Sequence, residues 1–140
     1  MRRMPASFFD TNVLVYVTSG DTVKADQAEA LLADGGAISV QVLNELANVA
    51  RRKMRLPWAD THALLTLFRG LLTVHPLTVE VHDTGLELGG RYGFSTWDAM
   101  LAASALHAGC DTLWSEDMPH GMLLDEGLRI VNPFRVASLR

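Results

Sequence analysis

Polar and apolar positions along this chain fall into two periods. Short segments with an apolar centre, at residues 6–9, 37–40, 73–76, 111–115 and 127–131, read as buried strands. Between them, apolar residues recur every three or four positions, as on a helix with one buried face. A short helix is predicted over residues 12–16, broken by Ser19-Gly20-Asp21. A longer one is predicted from Thr22 to Ala33, with Val23, Ala28, Leu31 and Leu32 as apolar positions and Asp34-Gly35-Gly36 as its stop. From Gln41 the helical period resumes through Val42, Leu43, Leu46, Val49 and Ala50 and ends in Arg51-Arg52-Lys53. Pro57 opens the next helix in its first turn, with an expected buried stripe of Leu64, Leu67, Phe68, Leu71 and Leu72. Val79 to Tyr92 reads as a helix stopped at Gly93. Thr96 to Ala108 reads as an alanine-rich helix able to lie close to a sheet. Gly35-Gly36 and Gly89-Gly90 both have the look of helix stops.

Strands alternating with helices predict an α/β fold of three layers, with a central, mostly parallel sheet covered on both faces. The chain has 140 residues and no linker, repeat or low-complexity segment, so residues 1–140 are expected to form a single domain. Hydrophobic residues at 49% with charged residues at 20% fit a compact globule. The formal net charge of −4 argues against capture of nucleic acid by the whole surface but leaves room for a local basic groove. Cys110 is the only cysteine, which excludes an internal disulfide and a cysteine-rich metal site and fits a cytoplasmic location. The basic opening Met1-Arg2-Arg3-Met4-Pro5 is followed too soon by Asp10 to lead into a signal-peptide core. No stretch approaches the ~20 apolar residues of a membrane span.

The candidate chemistry lies where apolar runs end in acids. Asp10 follows Phe8-Phe9, and Asp117 follows Leu113-Trp114-Ser115-Glu116. In a parallel sheet both would sit at strand carboxyl ends, the edge where ligands bind. Asp98 lies in the first turn of the helix leading into the fourth main strand, and Glu45 lies one turn into the helix leaving the second. Each has an ordinary explanation. Asp10 could be a helix N-cap, Asp98 the closing acid of a Ser95-Thr96-Trp97-Asp98 capping box, and Asp117 a turn residue. Glu45 could be solvated or paired with Arg52. Taken together, four acids with a route to one crevice call for a cation, since packed carboxylates otherwise raise one another's pKa. The natural occupant is a hard divalent ion, Mg²⁺ or Mn²⁺, and the natural reaction is phosphodiester hydrolysis. Thr11, Asn12 and Ser115 lie beside the acids and could steady their rotamers, or serve only as ordinary turn and cap residues. The cluster Arg51, Arg52, Lys53, Arg55 is a candidate for RNA phosphates and equally a complement to a helix C-terminus. Arg91 is a weaker phosphate candidate. The five histidines show no zinc-like spacing, and His120, near Asp117, reads as a loop residue. Cys110 reads as a core or turn residue.

Four segments together resemble the PIN domain, a nuclease fold. They are Phe9-Asp10-Thr11-Asn12-Val13-Leu14-Val15-Tyr16, Ser39-Val40-Gln41-Val42-Leu43-Asn44-Glu45, Ser95-Thr96-Trp97-Asp98-Ala99-Met100-Leu101-Ala102-Ala103 and Leu113-Trp114-Ser115-Glu116-Asp117-Met118. Their order and spacing span nearly the whole chain, and a domain this compact is similar to VapC-type toxins. The resemblance implies a five-stranded sheet ordered 3-2-1-4-5. It implies a Mg²⁺- or Mn²⁺-dependent endoribonuclease with Asp10, Glu45, Asp98 and Asp117 as its catalytic, metal-binding set. It also implies a homodimer and a partner antitoxin. The family pattern selects Asp117 as the fourth acid and leaves Glu116 to share the role or point away. The rival reading is a PIN fold kept as a non-catalytic module binding RNA or a protein partner.

Overall fold

The computed structural model describes residues 6–138; the basic opening at 1–5 lies outside the described residues. Five strands, β1 (Ser7–Phe9), β2 (Ala37–Ser39), β3 (Thr73–His75), β4 (Thr112–Trp114) and β5 (Arg129–Val131), form one sheet. All pairings are parallel and the order is β3-β2-β1-β4-β5, as the resemblance implied. The helices are α1 (Thr11–Val17), α2 (Thr22–Ala33), α3 (Val40–Arg52), α4 (Trp58–Leu71), α5 (Val79–Tyr92), α6 (Thr96–His107) and α7 (Pro133–Ser138). From β1 the chain steps outward to β2 and β3, then returns to lay β4 on the other side of β1. With right-handed crossovers, this reversal puts α1 to α4 on one face and α5 and α6 on the other. It also opens a crevice between the carboxyl ends of β1 and β4, where the strand order switches direction.

Local chemistry explains the element ends. The side chains of Asp21, Ser39, Thr78 and Ser95 each accept a backbone N–H in the first turn of α2, α3, α5 and α6. Gly93 ends α5 in the left-handed conformation, with φ 76°. Phe8, Phe9, Ile38, Leu113 and Ile130 fill the sheet's part of the core and are fully buried, each contributing about 2 kcal/mol by leaving water. Among the described residues no helix is long and apolar enough to cross a membrane.

The structure differs from the sequence reading in several places. Val40 begins α3 instead of ending β2, because Ser39 takes the cap position. Pro57 is likewise the cap of α4, not its first turn. Leu67 and Leu71 are half exposed, and the buried face of α4 is Thr61 and Phe68, followed by Leu72. The cause is position: α4 packs beside β3, the edge strand, so the sheet covers only part of its apolar surface. Val23, at 66% exposure, also points outward. Gly89 and Gly90 do not stop a helix; they lie inside α5. A Cβ at Gly89 would meet the Ala99 Cβ at 3.5 Å, and one at Gly85 would overlap Met100 Sδ at 2.6 Å, so glycine lets α5 lie close on α6. Helix α7 was not foreseen; the Asn132 side chain caps it by accepting from Phe134 N.

Gly36 is the most constrained glycine. Its φ is +146°, and a Cβ there would lie 2.6 Å from the Phe9 ring and 2.9 Å from the Ser7 carbonyl. Gly36→Ala should therefore lower the unfolding free energy by about 2 kcal/mol or more. Gly20→Ala, in open space, should change it little. Urea denaturation of both variants checks the pair.

Candidate active site

The site begins where β1 ends. Asp10 takes the cap position of α1 and is 9% exposed as a residue. Its Oδ1 accepts Thr11 N–H at 2.7 Å, and its Oδ2 accepts the Ser115 hydroxyl at 2.7 Å and the Asn12 amide at 3.2 Å. The same Asn12 nitrogen donates to Asp117 Oδ2 at 3.2 Å. The backbone closes the network: Asp10 N donates to Trp114 O, Asp117 N to Ser115 Oγ, and Glu116 N to Asn12 Oδ1. One short polar residue after each of the two strands thus ties the end of β1 to the end of β4.

Asp10, Glu45 and Asp117 line one cleft of about 380 Å³, together with Thr11, Asn12, Tyr16, Lys53 and Glu116. Asp98 is not among the lining residues, but it feels the charge of Asp117. Burial, with that charge, raises the Asp98 carboxyl above its ordinary range, against the opposing hydrogen bond to Ser95. For Asp10 the effect is larger: burial lifts its pKa from 3.8 to about 6, with Glu45 and Asp117 adding to the rise and the Ser115 and Thr11 bonds restraining it. Glu116 goes elsewhere. It accepts from Tyr16 OH at 2.8 Å and Lys24 Nζ at 3.0 Å, and the Lys24 ammonium also lies over the Tyr16 ring at 4.6 Å. The Lys24 ammonium thereby balances the Glu116 charge, while its exposed neighbour Asp117 is held by Asn12.

The basic cluster divides. Lys53 lines the acidic cleft, and no ion pair holds it among the described residues. Arg51 and Arg52 line a neighbouring groove, and Arg55 lines neither. Arg52 does not pair with Glu45. Arg91 is held by Glu87 and Glu126, and His120 Nδ1 accepts Asn132 N–H at 3.0 Å, so both have structural employment. Burial pushes the Cys110 thiol up to about 11, which leaves it unreactive. Sequence reasoning missed Gln41, which is buried and donates to Trp97 O at 3.3 Å and Glu45 Oε1 at 3.4 Å, linking the second and third motifs. Its position one helical turn before Glu45 was the available signal. Tyr16 and Lys24 were also missed.

The donor set is all oxygen and suits a hard divalent ion. A buried acid with two acidic neighbours, and a buried Thr11 hydroxyl without a hydrogen-bond partner, fit a cation that would satisfy them. As they stand, no three acid, histidine or cysteine side chains among the described residues form a ready ligand group, so binding would have to draw the carboxylates together.

A model of the PIN domain family matches residues 7–118. No curated protein matches the chain at a significant level. Among solved structures, the chain is similar to a toxin–antitoxin complex from Klebsiella pneumoniae, with 20% identity, a TM-score of 0.68, and 91% of this chain and 98% of that one covered. It is similar to DNA-bound VapBC from Salmonella typhimurium, with 20% identity, a TM-score of 0.65, and 93% and 99% covered. It is also similar to the sarcin–ricin-loop-cleaving toxin VapC20 of Mycobacterium tuberculosis, with 17% identity, a TM-score of 0.59, and 77% and 87% covered. At these identities the structures establish the fold.

The raised Asp10 pKa sets a pH dependence. Below 3.8 both folded and unfolded chains hold the proton, and the burial costs nothing; as pH rises through about 6 the folded chain must ionise Asp10, and about 3 kcal/mol of stability is lost. In EDTA, stability should fall between about pH 4 and about pH 7. Asp10→Asn should flatten part of that fall and be more stable than the parent by about 1–2 kcal/mol near pH 7. Ser115→Ala, which removes a bond restraining the pKa, should shift the fall to higher pH. Thermal melts across that range test all three proteins; a parent slope retained in Asp10→Asn would rule out Asp10 as the group responsible.

Proposed function

This chain belongs to the PIN domain family, and we propose that it is a metal-dependent endoribonuclease, the toxin of a toxin–antitoxin pair. The observation that carries the reading is the meeting of Asp10, Glu45 and Asp117 in one cleft at the sheet's switch point, with Asp98 in electrostatic reach of Asp117. Asp10, Asp117, Asp98 and Glu45 would hold Mg²⁺ or Mn²⁺. When bound, such an ion supplies polarisation of a phosphoryl oxygen and a water of lowered pKa.

The chain's own residues do the rest. Asn12 and Ser115 orient the Asp10 carboxylate by hydrogen bonds. Asn12 keeps Asp117 beside it. Lys53, on the cleft wall, offers a cation to a phosphate of the RNA backbone. Lys24 and Tyr16 hold Glu116 by hydrogen bonds and balance its charge, which leaves Asp117 as the uncompensated acid of that turn. With water as nucleophile, the expected products carry a 5′-phosphate and a 3′-hydroxyl.

An antitoxin partner is supported by similarity to toxin–antitoxin complexes. The half-exposed Leu67 and Leu71, on a hollow shared with Val17, Leu32 and Phe68, would suit an apolar segment of such a partner. A basic or apolar side chain of it, entering the acidic cleft, would complement the charge there. A homodimer is proposed on family likeness.

One observation favours a second reading. The acids do not stand as a ready ligand group, which is what a PIN fold kept as a non-catalytic binding module would show. Incubation of total RNA with partner-free protein in Mg²⁺, Mn²⁺ or EDTA separates the two. A nuclease cuts only with metal, and Asp10→Asn and Asp98→Asn each lower the rate at least about a hundredfold. A folded protein that cuts in neither metal is the binding module, and a cyclic 2′,3′-phosphate product would refute the water mechanism.

A further inference from the structure

Helix α3 is the wall between two hollows. Glu45, Val49 and Lys53 line the acidic cleft, while Asn44, Ala47, Asn48, Arg51 and Arg52 line a groove of about 450 Å³ on the adjoining stripe. Trp58, the first residue of α4, forms the groove's far side and is 68% exposed. An exposed indole ordinarily moves freely, but this one is braced. The Arg51 guanidinium carbon lies 4.3 Å from its ring centroid, and Arg51 Nη1 is itself anchored on the Leu56 carbonyl at 2.7 Å. The corner between the helices is tight: Leu56 N donates to Ala50 O, Arg55 takes the left-handed conformation with φ 57°, and Pro57 fixes the approach to Trp58.

We infer that this corner is a stacking platform for an unpaired base of single-stranded RNA, lying next to the cleft; the inference rests on the ribonuclease reading. A flat, pre-positioned aromatic ring backed by a guanidinium offers base stacking at small entropic cost. Asn44 and Asn48 bring amides that can pair with base edges, and Arg52 brings a cation for the backbone. The lining contains two guanidinium groups, two amides and no carboxylate, which suits a polyanion better than an apolar protein segment. The two hollows are separated only by the thickness of α3, on the order of 10 Å. One strand could therefore lay a base on Trp58 while its backbone crosses Lys53 toward the acids.

The test uses the full chain carrying Asp10→Asn, in EDTA, so that binding is read without cleavage. Fluorescence anisotropy follows a labelled single-stranded RNA of mixed sequence and the same RNA as a duplex. Adding Trp58→Ala should weaken single-strand binding roughly tenfold, Trp58→Phe should retain most of the affinity, and duplex binding should not change. Equal single-strand affinity with and without Trp58 overturns the platform. So does a sedimentation profile in which Trp58→Ala dissociates a dimer, since the groove would then be an interface between copies. In the Asp10-intact chain, Trp58→Ala should raise KM for single-stranded RNA and leave kcat unchanged. If that chain cuts nothing in any metal while Trp58-dependent binding persists, the nuclease reading fails and the platform stands.

Discussion

The hydrogen bonds that Ser115 gives to the Asp10 carboxylate and Asn12 gives to the Asp117 carboxylate join the ends of β1 and β4, and the geometry of that part of the site follows from them. A carboxylate at the end of a buried strand has lost most of its water. It remains because three donors face it and because the turn after β4 supplies one of them. The same two side chains reach Asp117 and the backbone of Glu116, so the two strand ends share one polar network. The network restrains the Asp10 pKa without returning it to the ordinary value. That residual cost is what a cation in the cleft would relieve.

Adjacent acids in one turn have opposite fates for a physical reason. Asp117 is held toward Asp10 by the Asn12 amide they share, and Glu116, one methylene longer, turns to Tyr16 and Lys24. Lys24 balances the one acid that would otherwise crowd the others. Being partly exposed, the pair adds little to stability; its consequence is orientation. The other wall of the cleft is α3, whose charged and amide residues are sorted by helical phase into a stripe lining the acidic cleft and a neighbouring polar one.

Much of this was legible in the sequence because the signals were local. Helices α2 and α5 could be read to the residue, since Asp21, Thr78 and Gly93 announce their own ends. Asp10 and Asp117 were visible as acids that cut off apolar runs, and their neighbours Asn12 and Ser115 were short polar residues in turns. What failed depended on distant packing. The apolar period of α4 is wider than the surface an edge strand can cover, so Leu67 and Leu71 looked buried. Gly89-Gly90 looked like punctuation, because the approach of α6 to Gly85 and Gly89 leaves no local mark in the sequence, and nothing lies near Gly90. Gln41, Tyr16 and Lys24 find their partners 56, 100 and 92 residues away, and no local pattern reports that.

The switch in strand order also governs when the site comes into being during synthesis. Strand β1 emerges first, but its neighbour β4 is made only after β2, β3 and six helices have been completed. Until Trp114 and Ser115 arrive, Asp10 lacks the backbone acceptor for its N–H and the hydroxyl that steadies its carboxylate, and one edge of β1 lies open. Loop closure over so long a separation is slow to reward the chain. A nascent or truncated copy that stops short of β4 therefore carries three of the four acids without the Ser115 hydroxyl that steadies the first of them.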